Sequence, residues 1–270
     1  MSKRRLTSIA LALVAGSTML PAAAAESYTL WDNFNNATAM NPDRWSGLER
    51  SRIVKDGVAR FTQRDIGTQI SDDSSSAASW GMNIRDATDA IRQMRAVVTM
   101  TDYVVEGCPE NTQRASVAQA RIIGEFFNAG AGAPTSRIDD VGAVVRLVRQ
   151  SNSSDGAGVI RVEGVVYRCL SSDCNSVTGL GSVDLGASAL NTAETLRVEW
   201  EPELNRFNFQ RGSNAKQSVT YDVGDSQPPF QLFRQIGTRT EVASCFSSAR
   251  RSVSVSAKFD NFAVNNSAAP

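Results

Sequence analysis

The sequence predicts an all-β fold in which two antiparallel sheets pack face to face as a sandwich. Apolar and polar residues alternate with a period of two through much of the chain, as half-buried strands require. Runs rich in Val, Ile and Thr are separated by Gly, Asn, Asp and Ser, which gives roughly ten to twelve strands. The chain has 270 residues, 41% of them hydrophobic. That length is sufficient for one sizeable core, and we expect a single domain.

Two hairpins anchor this prediction. Ile53-Val54 and residues 58–63 flank Asp56-Gly57, which supplies the positive φ of a two-residue turn. Residues 195–200 and 206–210 form the second hairpin. Further strands are predicted at residues 94–103, 120–127, 141–149, 159–168, 218–223 and 252–264.

Other segments are predicted to lie outside the strands. The Ser-rich residues 72–79 are interpreted as a loop, and residues 178–186, opening Thr-Gly-Leu-Gly, as a turn. Residues 86–94 are the one predicted short helix, with Asp86 as its N-cap.

Residues 1–25 resemble a secretory signal peptide. Lys3, Arg4 and Arg5 precede an apolar stretch over residues 6–14, and three alanines precede Glu26. We therefore expect a mature domain of residues 26–270 that is periplasmic or secreted. No apolar run has membrane-spanning length, so we expect no membrane insertion.

The composition excludes several functions. The chain has no histidine, which removes His-based serine or cysteine catalysis and His-ligated metal sites. Its 28 basic residues equal its 28 acidic residues. A nucleic-acid-binding protein is usually basic, so nucleic acid is not an expected partner.

The four cysteines of an exported chain suggest two disulfides. Cys169 and Cys174 would close a small loop at a strand end, which leaves Cys108 to pair with Cys245 over a long range. A zinc site is the alternative, but the spacing lacks paired C-x₂-C elements.

Three segments resemble the concanavalin A-like lectin/glucanase superfamily, the jelly-roll group that includes laminin G-like modules. The first is Trp31-Asp32-Asn33-Phe34 with Asn-Pro-Asp-Arg-Trp at residues 41–45. The second is the hairpin formed by Leu-Arg-Val-Glu-Trp at residues 196–200 and Asn-Arg-Phe-Asn-Phe at residues 205–209. The third is the closing Phe259-Asp260-Asn261-Phe262. The chain is similar to exported bacterial members of this group. The resemblance implies a jelly roll and carbohydrate binding.

The enzymes of that superfamily suggest catalysis as an alternative function. Its glucanases carry an E-x-D-x-x-E strand, which this sequence lacks, and many of its polysaccharide lyases use His with Tyr. Glu199 and Glu201 would lie about 7 Å apart on one strand face. That separation permits a glycosidase acid/base pair. The other interpretation is a solvated face with Arg197 and Arg206 as counter-ions.

A metal site is a second hypothesis. The first and last strands of a jelly roll commonly lie side by side, which would bring Asp32 near Asp260. Their oxygens could hold a structural Ca²⁺. Alternatively, both side chains bond local backbone, as Asp often does at strand ends. No other cofactor is expected.

The predicted ligand-binding residues are Trp80, Arg121, Glu125, Arg146, Arg161 and Glu163. An exposed Trp80 in a polar loop would stack on a sugar ring, unless it anchors that loop to the core. The charged residues recur at alternate positions and would share one sheet face. They would form a groove for an acidic or hydroxyl-rich ligand, or cross-strand ion pairs.

The sequence therefore favours an exported, non-catalytic binding module whose partner is a glycan or polysaccharide. A glycoside hydrolase or polysaccharide lyase of the same fold is one alternative, and a structural envelope or matrix protein is another. The oligomeric state is left open.

Overall fold

The computed structural model describes residues 27–35, 37–49, 53–67, 75–108, 115–245 and 250–268. The predicted signal peptide lies outside these residues. The described chain forms fifteen strands and two short 3₁₀ helices, Pro202–Leu204 and Asn266–Ala268. The strands are β1 (Tyr28–Asp32), β2 (Trp45–Ser46), β3 (Val54–Lys55), β4 (Val58–Ile66), β5 (Ser75–Ile84), β6 (Gln93–Val105), β7 (Val117–Asn128), β8 (Asp140–Gln150), β9 (Val159–Cys169), β10 (Val177–Ala189), β11 (Glu194–Glu201), β12 (Arg206–Arg211), β13 (Gln217–Thr220), β14 (Arg234–Ala243) and β15 (Ser252–Asn265).

The strands form two antiparallel sheets. The eight-stranded sheet has the order β13-β12-β11-β6-β15-β4-β3, with β1 paired to β15. The seven-stranded sheet has the order β10-β9-β8-β7-β14-β5-β2. The predicted two-sheet sandwich is confirmed, and the first and last strands lie side by side as expected. Within the described residues, no helix has the length and apolar character needed to cross a bilayer.

Both predicted hairpins are present. Asp56 and Gly57 have φ values of 55° and 73°, which join β3 to β4 through a two-residue turn. In the second hairpin β11 pairs with β12 along six residues, and the turn between them is the first 3₁₀ helix.

The core between the sheets is built from the apolar residues of the alternating strands. At one end it is aromatic: the Trp200 ring stacks on the Phe127 ring at a centroid distance of 5.4 Å. Trp200 donates its indole N–H to the Tyr221 hydroxyl at 2.9 Å. This bond leaves the buried ring without an unpaired donor, which would otherwise destabilise the core.

Three segments differ from the prediction. Residues 86–94 contain no helix, because Asp86 has a φ of 51° and β6 already begins at Gln93. Of the predicted loop, residues 75–79 lie within β5 and residues 72–74 lie outside the described residues; the predicted turn at residues 178–186 lies within β10. Both strands are rich in small residues, which carry no apolar alternation for the sequence to show. β14 was also missed, because its core-facing side includes Thr238 and Thr240.

The chain between β5 and β6 is held to the core by Arg234. Its buried guanidinium donates to the Ile91 carbonyl from Nε at 3.0 Å and from Nη2 at 2.9 Å. Nη1 donates to the carbonyls of Glu125 and Phe233. The guanidinium carbon lies 4.1 Å from the centroid of the Phe126 ring. Burial lowers the pKa of Arg234 to about 9. The Arg234 guanidinium loses its contacts with water on burial, and backbone carbonyl oxygens rather than a carboxylate replace them.

The predicted disulfides, Cys108–Cys245 and Cys169–Cys174, are both confirmed. They span sequence separations of 137 and 5 residues, respectively. The first closes a chain segment that includes strands of both sheets, and the second closes a tight turn after β9.

Removing the two disulfides is expected to have unequal effects. In the chain-entropy model, substituting both members of Cys108–Cys245 with alanine lowers the free energy of unfolding by about 5 kcal/mol, and the same change at Cys169–Cys174 by about 2 kcal/mol. Urea denaturation of the two double variants measures the difference. Equal losses would contradict the assignment of the larger effect to the longer loop.

Candidate functional site

The charged residues predicted to bind ligand lie on the outer face of the seven-stranded sheet. Their neighbours in the chain, such as Ala120, Ile122 and Val145, point into the core. Alternation therefore places the intervening side chains on the opposite face. The residues concerned are Arg121 and Glu125 on β7, Arg146 on β8, and Arg161 and Glu163 on β9.

Most of these side chains are ion-paired. Arg146 lies directly opposite Glu163 and donates to one of its carboxylate oxygens from Nη2 at 2.8 Å. Arg161 donates from Nε to Asp155 at 2.7 Å. Glu125 is fully buried and pairs with Arg137, whose Nε lies 3.1 Å from Oε2. Arg146 and Glu163 form a cross-strand ion pair of the kind that the alternative interpretation describes, whereas Asp155 and Arg137 lie in loops.

Arg121 has a different environment. It is only 7% exposed, and its one hydrogen bond among the described residues is from Nη2 to the Ser79 hydroxyl at 2.9 Å. Within the described part of the chain, no carboxylate oxygen lies within 4 Å of its guanidinium. Burial, together with the nearby charges of Arg239 and Arg146, lowers the pKa of Arg121 to about 9. Arg121 is thus a desolvated cation without a counter-ion in the described chain.

Gly237 allows Arg121 to reach Ser79. Arg121 lies opposite Gly237 on β14, and Gly237 lies opposite Gly81 on β5. Ser79 is also on β5, two strands away from Arg121, so the Arg121 side chain must cross β14. Gly237 carries no side chain that would block this crossing, whereas the Gln235 side chain lies over Gly81, where an added Cβ would be 2.4 Å from Gln235 Cδ. A Cβ at Gly237 would lie 2.1 Å from the Trp80 carbonyl oxygen, so glycine is required there.

Arg121 lies in a groove of about 440 Å³. One side of this groove is polar and is contributed by β5, β7 and β14. The other side is apolar and is contributed by β7, β8, β9 and the segment before β14. The polar side includes Ser79, Gln119, Arg121, Gln235 and Arg239, and the apolar side includes Ile123, Val144, Val165, Tyr167 and Phe233.

The polar side contains buried atoms with unmade hydrogen bonds. They are Arg121 Nε, Gln119 Oε1 and Gln235 Oε1, none of which has a hydrogen-bond partner in the described chain. An unpaired buried polar group costs about 1–3 kcal/mol. Each of these atoms exposes less than 1 Å² of surface, so a ligand in the groove reaches the one donor and two acceptors only where these side chains reorient.

The apolar side is held in place around Tyr167. The Tyr167 ring covers Gly142, where an added Cβ would lie 2.4 Å from Cζ and Oη. Burial, and next the charge of Glu125, raise the pKa of the Tyr167 phenol. Burial also raises the pKa of the Glu125 carboxyl, against the opposing effect of Arg137. Tyr167 is therefore a protonated hydrogen-bond donor near neutral pH.

The Cys169–Cys174 disulfide positions one rim of the groove. Asp173, Cys174 and Asn175 line this rim, and the Asp173 carbonyl accepts from Arg137 Nη1 at 2.8 Å. Among the described residues, one group of potential metal ligands lies close enough together to hold an ion. It consists of Glu125, Cys169 and Cys174. Since its two sulfurs are joined in the disulfide, they do not offer thiolates.

The groove continues across the sheet. A depression of about 550 Å³ lies over β9 and β10 and shares Arg146 and Val165 with the groove. A second depression, of about 380 Å³, lies beside the loop containing Asp155 and shares Glu163 with the first. The three cavities together form a furrow that extends from β5 to β10.

Trp80 is placed differently from the sequence expectation. It lies within strand β5 rather than in a loop, on the same face as the core residues Met82 and Ile84. It lines a small pocket of about 200 Å³ with Phe61 and Leu48. Trp80 is not among the residues that line the groove beside Arg121. A role for it in ligand binding stays a prediction for that separate pocket.

Glu199 and Glu201 belong to the other sheet, on β11. Glu199 accepts from Lys216 Nζ at 2.6 Å and from Gln93 Nε2 at 2.5 Å. Glu201 accepts from Arg206 Nε at 2.5 Å, as the counter-ion interpretation expects. Arg197, the other expected counter-ion, instead donates to Gln210 at 2.7 Å.

Asp32 and Asp260 both lie on the paired edge of β1 and β15, where Asp32 is opposite Phe262. The Asp32 oxygens accept from the Phe34 amide and the Trp45 indole, both at 2.8 Å. One Asp260 oxygen accepts from the Asn261 amide at 2.6 Å. The bonds from the Phe34 and Asn261 amides are the local backbone bonds of the alternative interpretation, whereas the bond from the Trp45 indole joins side chains 13 residues apart. The calcium site stays a prediction.

The two-sheet antiparallel sandwich agrees with the fold that the sequence resemblance implies. No family model and no curated protein matches the chain. Solved structures similar to it include alginate lyase Aly36B, at 14% identity and a TM-score of 0.43, covering 91% of this chain and 98% of that chain.

Two further similar structures are a lectin and a glucanase. The winged bean acidic lectin complexed with methyl-α-D-galactose has 9% identity and a TM-score of 0.38, over 84% of this chain and 97% of that one. The glycoside hydrolase family 16 endo-glucanase from Bacteroides ovatus has 11% identity and a TM-score of 0.36, over 84% and 98%. These similarities concern the fold alone.

Sequence reasoning missed several groove residues: Gln119, Arg137, Tyr167, Gln235 and Arg239. Those on β14 were missed because that strand was not predicted. One feature of the sequence could have indicated these residues, because an isolated glycine inside a strand often marks the close approach of another group. Gly237 carries that feature next to Arg239.

Proposed function

We propose that the protein is a non-catalytic carbohydrate-binding module whose ligand lies in the groove beside Arg121. The observation that carries this proposal is the combination of buried, unpaired polar atoms on one side and an apolar wall on the other. The hydroxyl groups of a sugar ring can bond to the polar atoms, and its C–H face can pack against the apolar wall. A purely apolar ligand would leave the polar atoms unpaired.

The extent of the furrow supports a glycan chain over a single sugar. From β5 to β10 the sheet spans five strand spacings, about 24 Å. This is longer than one sugar ring, and the three cavities along it share side chains. An oligosaccharide segment can therefore occupy neighbouring positions at once.

The groove supports binding over hydrolysis. Its buried carboxylate, Glu125, is paired with Arg137, and Glu163 is paired with Arg146. Glu199 and Glu201 lie on the other sheet. A glycosidase needs one carboxyl as acid and a second as base or nucleophile on either side of the bond that is cleaved. Among the described residues, the carboxylates that line the groove are Asp173 and Glu241, and hydrogen bonds from Ser171 and Asn175 lower the pKa of Asp173, which does not suit that carboxyl to act as the acid.

A polysaccharide lyase is the second candidate, because Tyr167 lies in the same groove as Arg121. A lyase requires a base that removes a proton from the sugar. The raised pKa of Tyr167 opposes formation of the phenolate near neutral pH. Tyr167 is therefore better suited to donate a hydrogen bond.

We also propose that the chain is exported. The signal-like residues 1–25 and the two disulfides are both typical of proteins that reach an oxidising compartment.

A polysaccharide array with the Gln235→Leu variant tests the binding proposal. Loss of a groove acceptor is expected to weaken binding of the captured glycan about tenfold. Gln210→Leu, on the outer face of the other sheet, is the matched control and is expected to bind like the wild type. Calorimetry measures both affinities. Equal affinity of the Gln235→Leu variant and the wild type would place the ligand elsewhere, and release of sugar products would replace binding with catalysis.

A further inference from the structure

The groove is lined by four arginines and by two acidic residues, Asp173 and Glu241. Arg137 and Arg146 are neutralised by Glu125 and Glu163. Arg121 and Arg239 remain, and neither has a carboxylate within 4 Å among the residues that the structure describes. The Arg239 side chain has no hydrogen bond within that part of the chain either. Two cations therefore face the groove without counter-ions there.

The register brings these cations close together. Arg239 lies two residues from Gly237, which is opposite Arg121, so the two arginines are diagonal neighbours on one face. Diagonal side chains on adjacent strands are within mutual reach when they are long. Arg146 lies directly opposite Arg121 on the other side. Like charges in these positions repel each other, and an anion between them would remove that repulsion.

The other buried arginine shows what a structural guanidinium needs in this protein. Arg234 donates to three backbone carbonyls and lies over an aromatic ring. Arg121 has one hydroxyl acceptor, and its Nε has no partner in the described chain. The fold thus satisfies the Arg234 guanidinium internally and leaves that of Arg121, which lines the groove, with fewer acceptors than it has donors.

We propose that the glycan carries an oxyanion, a carboxylate or a sulfate, which Arg121 and Arg239 bind together. This inference rests on the proposed carbohydrate-binding function. A guanidinium presents its donors as a planar fork that matches the paired oxygens of such a group. The sugar ring beside the oxyanion would then contact the apolar wall formed by Val144, Val165 and Tyr167.

The test is a glycan array that contains neutral, uronic-acid and sulfated polysaccharides, each anionic member paired with a neutralised form. Polygalacturonate is paired with its methyl ester, and each sulfated glycan with its desulfated form. The wild type is expected to bind anionic members at least tenfold more tightly than their neutral forms. Binding of the uronic-acid members identifies the oxyanion as a carboxylate, and binding of the sulfated members identifies it as a sulfate.

The Arg239→Gln variant, measured on the same glycan array, provides a second test. The Arg239 side chain has no partner in the described chain, so its loss is expected to leave the melting temperature unchanged. The preference for the anionic form is expected to fall about tenfold. Lys258→Gln, on the eight-stranded sheet, removes the same charge away from the groove and is expected to retain the preference.

The outcomes separate the two proposals. Capture of neutral glycans with affinity equal to that of anionic ones would overturn the anionic-ligand inference and leave carbohydrate binding standing. An undiminished preference in Arg239→Gln would also overturn the inference. Capture of no glycan would overturn the proposed function, and the inference with it.

Discussion

Replacing Arg121 with methionine is expected to abolish glycan binding without loss of stability. Arg121 is a buried cation with no counter-ion in the described chain, and its neighbours Arg239 and Arg146 are also cationic. Removing one partner of a buried charge pair typically costs 2–5 kcal/mol of binding free energy, so affinity should fall about 100-fold or more.

The same substitution removes a charge that the folded state keeps out of water. Replacing buried charges with apolar side chains of similar volume is often neutral or stabilising. We therefore expect the free energy of unfolding to stay constant or to rise by up to about 2 kcal/mol. Such a result would show that the fold retains Arg121 for its ligand.

Calorimetry and urea denaturation of Arg121→Met measure the two effects. Arg60→Met is the control, because Arg60 lies on the eight-stranded sheet and is paired with Asp56. It is expected to bind glycan normally. Wild-type affinity in Arg121→Met would exclude Arg121 from the binding site, and a large loss of stability would make its role structural.

The Arg234→Met variant is expected to be strongly destabilised, by about 3–5 kcal/mol. The substitution leaves the carbonyls of Ile91, Glu125 and Phe233 without the donors that they have in the wild type. It also removes the contact with the Phe126 ring. The segment between β5 and β6 loses its attachment to the core.

Urea denaturation monitored by far-ultraviolet circular dichroism measures this loss, with Arg121→Met as the matched control. Both arginines are buried, and burial lowers the pKa of each to about 9. They differ in their internal hydrogen bonds. Similar stability changes in the two variants would show that these bonds do not determine the role of each residue.

Parts of the candidate site follow from the sequence. Alternation alone places Arg121, Arg146 and Glu163 on the side of their own strands opposite the apolar residues, because successive side chains of a strand point to opposite faces. It cannot say which residues lie opposite each other, since register depends on pairing between strands. Arg146 pairs with Glu163 and Arg121 does not, and that difference arises from the order β9-β8-β7-β14.

The sequence by itself determined the sandwich, the two hairpins and both disulfide pairs. These depend on local periodicity, on turn residues such as Asp56-Gly57, and on the small number of cysteines. Only the tertiary structure decided which face is the groove and which cations lack counter-ions. Strands β5 and β14 show no apolar alternation, yet Gly237 on β14 leaves room for Arg121 to reach Ser79 on β5. Contacts between residues distant in the chain produce that arrangement, and no local pattern records them.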